Sequence, residues 1–542
     1  MNAATATRPP PAAANPGGNM FTRFRALFAH NQLGNFLFIS AIIIGFFHGW
    51  LKLRFRGALT TFAFDIPLML ALIVTLASVP RMDPWIPNSR VGNALKAFVG
   101  VACFYLIMPF GVPLLAGLSA FRAWCFIPLT FALGYHLVRS VRQVELYFWL
   151  IIILAAITAV YGMRQSPEEI RAKMAEDAEF AAKFFNTFYS NSKGEAKLRV
   201  FSTFVTAAAF GGTMAYCVMF AISRFSVAGN SWKERIILLA LAAPMAYGIV
   251  LSGSRTSMFM MATGLIFTAW YRRNLLQYIL VPVLILLAFK ASQQSSGNGD
   301  SLERFSTLMD PQSFIGRLSI VVLPMFESLM SLPFGGGLGR SGHGLPAVLS
   351  NLTREFDWRP VDGDLGRLGV EMGFLGITVF FWLLIAGVLD AFRNMKELRD
   401  TPLAIVGVPA GAMFMIAVGI MPTGSPFLAI PNGALLWFFL GALDRLTLEY
   451  RKLEKLAPED VKTNAMFVSF IQTRKTRLLF NDGKPEAVQQ VTSRIRAIRP
   501  PAPKKRFLFQ REQPEAKPLP PREIKSPNDR RLFAPLHRRR KD

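Results

Sequence analysis

The chain has 542 residues, with 60 Lys and Arg against 34 Asp and Glu, a formal net charge of +26 and a pI near 10.4. Hydrophobic residues make up 52%, charged residues 17%, and the mean hydropathy is +0.35. A soluble domain carries about 25% charged residues. The balance therefore excludes a disordered protein and an ordinary cytosolic enzyme and indicates an all-α polytopic membrane protein. Cys103, Cys125 and Cys217 all fall in apolar runs, so no disulfide framework is expected.

Residues 1–30 begin Ala- and Pro-rich with a single Arg8 in the first twenty, and lack the basic-then-apolar order of a signal peptide. They read as a disordered cytoplasmic lead. Residues 31–442 then hold the membrane domain. A crossing helix needs about 20 mostly apolar residues, and twelve stretches qualify: 32–50, 60–79, 93–113, 121–138, 143–162, 203–222, 235–252, 256–271, 274–291, 373–392, 402–421 and 425–442. The stretch from Thr256 is short, and the one from Ser425 contains Pro426 and Pro431. Asp65, in Phe64-Asp65-Ile66-Pro67, is an intramembrane carboxylate expected to pair with a neighbouring Arg.

Lys and Arg in short loops set orientation. With the N-terminus in the cytoplasm, the inner loops hold pairs such as Arg81 and Arg90, Arg139 and Arg142, and Arg272 and Arg273. Lys52, Arg54 and Arg56 fall on the opposite side. Twelve spans return the C-terminus to the cytoplasm.

That topology leaves two long segments outside, about 163–200 and 292–372, and long loops carry function. The first opens with the capping box Ser166-Pro167-Glu168-Glu169. Ile170, Met174, Phe180, Phe184 and Phe188 then fit an amphipathic helix, lying on the membrane surface or packed on the bundle. In the second, Ser313 to Leu332 reads as helix. Phe334-Gly335-Gly336-Gly337-Leu338-Gly339-Arg340 follows as a Gly-rich turn that lacks the Lys-Ser/Thr of a nucleotide-binding loop. Residues 443–542 form a cytoplasmic tail, helical over Asp444 to Lys455 and expected to be disordered beyond about Pro500. It carries 25 Lys and Arg against 12 Asp and Glu. An anionic leaflet explains such a tail better than nucleic acid does, since the rest of the chain is apolar.

Five charged positions map to the outer boundary: Arg199, Arg255, Arg317, Asp362 and Glu371. Three arginines point to an anionic ligand, because the guanidinium fork holds phosphate bidentately. Each Arg also fits the plainer reading of an interface anchor. His343 is the only outer histidine of five, and no HExxH, CxxC or DxD motif is present, so no metal and no cofactor is expected.

Ser252-Gly253-Ser254-Arg255-Thr256-Ser257 resembles a signature of the O-antigen ligase and polysaccharide polymerase family. So do Arg199 in Arg-Val-Phe-Ser-Thr-Phe, Arg317 ahead of Pro333 to Gly339, and the re-entry stretch Asp362-Gly363-Asp364 to Gly376 with its spacing of Asp362, Glu371, Gly373 and Gly376. The four stand in family order over about a third of the chain. The resemblance implies a glycosyltransferase with a GT-C-like architecture in a bacterial inner membrane, both termini cytoplasmic. The implied reaction is an inverting, metal-independent transfer from a glycan on undecaprenyl pyrophosphate to a second lipid-linked glycan at the periplasmic face. Arg199, Arg255 and Arg317 would hold the pyrophosphate. Asp362 is the favoured base, with Glu371, Asp364 and His343 in reserve. The Asp at 362, where ligases to lipid A carry His, favours polymerisation of an exopolysaccharide, capsule or O-antigen, and Gly363 departs from the family's Asn. The alternatives are a ligase to lipid A or protein, a secondary transporter using Asp65, and a scaffold whose tail recruits other polysaccharide-assembly proteins.

Overall fold

The computed structural model describes residues 31–455, apart from 56–59, 61, 81–82, 109–110, 177–187, 191–195, 228–230, 274–277, 281, 284–310, 343–360, 362, 400 and 402. The chain divides into two units, Met1–Lys475 and Thr476–Asp542, and every described residue belongs to the first. The expected lead over 1–30 and the tail beyond Lys455 lie outside the described residues.

The described part is all-helical apart from one short hairpin. In chain order it runs α1 Gln32–Phe46, α2 His48–Arg54, α3 Asp65–Ala77, α4 Arg90–Ile107, α5 Leu114–Leu137, α6 Val141–Met163 and α7 Pro167–Glu176. The hairpin β1 Phe188–Ser190 and β2 Ala196–Leu198 follows, with Phe188 opposite Leu198. Then come α8 Ala207–Phe225, α9 Trp232–Leu251, α10 Arg255–Arg272, α11 Pro311–Ser331, α12 Gly363–Leu398, α13 Ala404–Ile420 and α14 Asn432–Lys455.

Six of these helices (α4, α5, α6, α8, α9 and α12) are long and apolar enough to cross a membrane, or seven spans if α1 and α2, bent by 65°, count as one. Shorter apolar helices are α3 and α13. The sequence reading counted twelve. Helices occupy eleven of those stretches, but several are too short or too charged to meet the test, and 274–291 falls mostly outside the described residues. The exterior is apolar: Ile73, Ile107, Ile157 and Ile385 are each more than half exposed, as side chains facing lipid would be. Helix α14 runs unbroken from Asn432 to Lys455, so the expected domain boundary at 442 falls inside it.

Between lipid-embedded helices, close contact rather than water exclusion drives association. The α5–α14 pair shows how. A Cβ on Gly134 would lie 1.9 Å from the Phe438 carbonyl oxygen, and one on Gly441 would lie 2.0 Å from that of Phe131. Thr130 Oγ1 donates across the same seam to the Ala434 carbonyl at 2.9 Å. Phe38 stacks on Phe438 at 4.3 Å and Phe148 on Phe220 at 4.2 Å, so aromatic rings fill the wider gaps.

Helix directions alternate, which sorts the molecule into two ends. One end gathers the starts of α4, α6 and α9 with the finishes of α8, α12 and α14. Arg224 bonds Glu145 at 2.6 Å and Glu234 at 3.3 Å there, and Glu397 receives both Arg451 nitrogens at 2.6 and 2.8 Å. The other end gathers the finishes of α6 and α9, the starts of α8, α10, α12 and α14, and the loops between them. The Arg199, Arg255 and Glu371 motifs all lie at this second end, which we call the loop end.

Candidate functional site

The segment before α8 is strapped down on four sides. Val200 N donates to the Leu251 carbonyl at 3.1 Å, fixing it to the finish of α9. Gln165 Oε1 accepts from Phe201 N at 3.2 Å and Ser202 N at 3.1 Å. Ser202 Oγ donates to Thr158 O, Thr203 Oγ1 to Phe46 O, and Trp50 N to Thr203 O. Ser202 adopts φ 54°, uncommon for a residue with a Cβ. Arg199 therefore emerges, half-buried, from a backbone whose direction is over-determined.

The serine-rich turn explains itself residue by residue. Gly253 at φ 58° supplies the left-handed residue that ends α9. Ser254 then caps α10, its Oγ accepting from Ser257 N at 3.3 Å and from Ser257 Oγ at 2.8 Å. Ser252 and Ser257 back onto Gly211 of α8, where a Cβ would lie 2.5 and 2.7 Å from their hydroxyls. So the serines set the turn, and Arg255 is what the turn presents. It is the first residue of α10, half-buried, where the helix dipole already favours an anion. Among the described residues Arg255 pairs with no carboxylate, and its buried Nε makes no hydrogen bond. The Val200–Leu251 hydrogen bond brings its turn beside the Arg199 strap.

The Gly-rich loop is not a phosphate cradle, because its amides serve the chain itself. Helix α12 is broken at Gly373, with φ 55° and ψ −150°. The break frees the carbonyls of Val370 and Glu371 and the N–H of Phe374. Gly336 N donates to Val370 O at 2.8 Å, Gly337 N to Glu371 O at 3.1 Å, and Phe374 N to Pro333 O at 2.8 Å. Tyr105 Oη donates to Phe334 O. The anion that the loop encloses is Glu371. Its carboxylate, on a residue 1% exposed, accepts from Trp124 Nε1 at 2.8 Å, Ser341 Oγ at 2.5 Å and the Gly339 backbone.

Asp364 also holds backbone, but through one oxygen only, since its buried Oδ1 makes no hydrogen bond. It is 0% exposed, and its Oδ2 accepts from Phe427 N at 2.9 Å, holding the segment that leads into α14. Arg367 lies within electrostatic reach of both Asp364 and Glu371. Arg317 falls within α11, but its side chain is not among those described; Asp362 and His343 lie outside the described residues. The structure thus joins the backbone segments that carry Arg199 and Arg255, and sets Glu371 and Oδ2 of Asp364 as internal fasteners. Gln165, Trp124, Ser341 and Arg367 were not singled out from sequence. Trp124 and Glu371 are 247 positions apart, so no local pattern pairs them.

Three neighbouring features complete the picture. Helix α7 begins where the capping box predicts, with Glu168 N donating to Ser166 Oγ at 3.2 Å, and it is packed on the bundle: Ile170 is buried with Phe201 and Ala207. Phe188, read as part of that helix, is in a strand, and Phe180 and Phe184 lie outside the described residues. Asp65 does pair, with Arg122 at 2.6 Å, which leaves it a structural ion pair rather than an open coupling carboxylate. Finally, an apolar pocket of about 270 Å³, lined by Phe47, Trp50, Tyr161 and Thr203, opens against the Arg199 strap. Among the described residues no group of three or more His, Cys, Asp or Glu comes together as metal ligands.

No family model matches the chain, and no curated protein does. The site's chemistry rests on its own geometry: fixed cations at a helix start, an apolar pocket alongside, and a braced loop over a broken helix.

Proposed function

We infer that the chain is a membrane glycosyltransferase that polymerises lipid-linked glycan repeat units, with the loop end facing the periplasm. The observation that carries this reading is Arg255, a cation at a helix start without an acidic partner among the described residues, set beside the strapped Arg199. A pyrophosphate leaving group supplies the counter-charge, and guanidinium groups fixed before it arrives stabilise it as it departs. The apolar pocket lined by Phe47, Trp50 and Tyr161 takes the first part of the polyprenyl chain. Arg317 is the third candidate for the pyrophosphate. With Glu371 engaged by side-chain and backbone donors, Asp362 is the base we assign to the acceptor hydroxyl, with Asp364, whose Oδ1 has no hydrogen-bond partner, and His343 in reserve. Holding both glycans over one cleft adds rate through orientation.

Orientation follows from the other end, where Arg90, Arg139, Arg224, Arg272 and Arg393 collect; short basic loops stay cytoplasmic. With that orientation we read the chain as a bacterial inner-membrane protein with a GT-C-like plan and cytoplasmic termini. A ligase to lipid A or protein would use the same cleft with a different acceptor, and a deletion strain separates the two. Accumulated single lipid-linked repeats identify a polymerase. Long lipid-linked polymer left unattached identifies a ligase, and an unchanged lipid-linked pool with lost solute uptake identifies a transporter.

A further inference from the structure

At the basic end, remote from the loop end, a cavity of about 450 Å³ lies among the start of α4, the last turn of α5, and the far parts of α12 and α14. Its size falls in the range of small-ligand sites. Asp390, Asp444, Asn394, Arg90, Arg393 and Arg451 all line it. Arg393 and Arg451 share Glu397. Asp390, 5% exposed, and Asp444 have no cation within ion-pair distance among the described residues, and Arg90 has no carboxylate.

The plainer explanation for the two carboxylates is the start of α4. Asp390 accepts from the Val91 backbone N–H, and Asp444 accepts from Ser89, the residue that caps α4. A helix start offers about half a positive charge, and Arg90, Arg393 and Arg451 act on Asp390, and Arg451 on Asp444, only from across the cavity, beyond ion-pair distance. A second observation points to a missing partner. Asn394 is 2% exposed and lines the cavity, yet its Nδ2 meets no acceptor in hydrogen-bonding geometry, although Asp444 lies beside it. The cavity therefore holds carboxylates and a guanidinium that face each other without direct contact, and beside them an amide donor with no acceptor. A bare divalent ion answers only the carboxylates and meets three arginines. A simple anion answers only the guanidinium and the amide and meets two carboxylates.

We propose that this cavity binds a phosphoethanolamine-type zwitterion, its primary ammonium between Asp390 and Asp444 and its phosphate toward Arg90 and Asn394. An ammonium has three donors for two carboxylates, and phosphate suits the guanidinium fork. The cavity's level matches a lipid headgroup. Helices α4 and α5 stop there, while α12 runs on from Asp390 for about 12 Å and α14 from Asp444 for about 16 Å at 1.5 Å per residue, as helices do on leaving the hydrocarbon. The proposal is independent of the loop-end chemistry.

The test uses the purified full chain, stripped of lipid, with retention read by native mass spectrometry against phosphatidylethanolamine, its N-methylated series ending in phosphatidylcholine, and phosphatidylglycerol. Soluble O-phosphoethanolamine forms a separate arm. Retention is expected to fall stepwise with methylation, about tenfold from phosphatidylethanolamine to phosphatidylcholine, with phosphatidylglycerol as weak. Asp444→Asn is expected to weaken phosphatidylethanolamine about tenfold and leave phosphatidylglycerol unchanged. Binding of O-phosphoethanolamine as tight as that of the lipid makes the free zwitterion the ligand; its failure beside a retained lipid makes the headgroup the ligand. Equal retention of all three lipids, with no binding of the soluble compound, overturns the proposal. So does undiminished phosphatidylethanolamine binding in Asp444→Asn. If that variant does not fold, the methylation series on the unaltered protein decides alone.

Discussion

At the basic end, Arg224 is gripped by Glu145 and Glu234, and Arg451 lies fork-to-fork on Glu397. At the loop end the fastening is done by other groups. Backbone amides, serine and threonine hydroxyls and Gln165 hold the Arg199 strap, and the Gly-rich loop closes on Glu371. Arg255 is left without a carboxylate among the described residues. Cations at the first end hold helices together; at the second Arg122 does so through Asp65, while the Arg199 strap and the serine turn are held by neutral groups that leave Arg255 without a carboxylate among the described residues. Arginine counts alone do not distinguish these uses; the partner does.

The sharpest way to break that comparison is to remove one arginine from each end. Arg255→Ala is expected to lower glycan polymerisation by about 100-fold or more, as loss of one charge-stabilising donor does, with normal protein level and thermal stability. Arg224→Ala should do the reverse, keeping polymer while lowering stability by about 1–3 kcal/mol, read by thermal unfolding in detergent. Equal effects of the two substitutions on stability would erase the distinction between the ends.

Next in size is Gly373→Ala. The residue sits at φ 55°, and a Cβ would lie 2.3 Å from Gly335 N and 2.4 Å from Pro333 O. A loss of about 3 kcal/mol is expected, with hydrogen exchange rising in 333–337 and not at the basic end. Glu371→Gln keeps the shape but replaces one acceptor oxygen by a donor that faces Trp124 or Ser341. It should cost about 1–3 kcal/mol, with tryptophan fluorescence reporting a loosened Trp124. A Glu371→Gln protein as stable as the parent would remove the fastener role and return Glu371 to the list of bases. The smallest effect is expected from Glu397→Gln, within about 1 kcal/mol, because the pair with Arg451 is a third exposed and screened by water.

Much of this architecture was readable along the chain. Hydropathy located helices at eleven of twelve stretches, and the capping box at Ser166 and the serine turn at Ser254 both mark true helix starts. Span count was harder, because α3 and α13 are short and the latter part of α14 is charged, so length and composition separate a crossing helix from a buried one poorly. The Gly-rich stretch was visible as a turn, but its purpose was not. That purpose depends on Gly373 breaking α12 and on Trp124 reaching Glu371 from far along the chain. Phe188 was assigned to a helix on spacing, yet it pairs as a strand with Leu198, a contact that helical periodicity does not reveal. At the site, residue type gave the arginines and carboxylates. Burial then sorted them: Glu371 is enclosed by donors of its own chain, while Asp364 lies inside the fold with Oδ2 bonded to backbone and Oδ1 unpartnered.

The central claim is that Arg255 and Arg199 hold a polyprenyl diphosphate at the loop end. Direct binding of undecaprenyl pyrophosphate to the purified protein tests it without any need for an acceptor. Affinity should fall by at least about tenfold in Arg255→Ala and remain unchanged in Arg224→Ala. Equal affinity of the parent and Arg255→Ala for the diphosphate would contradict the account.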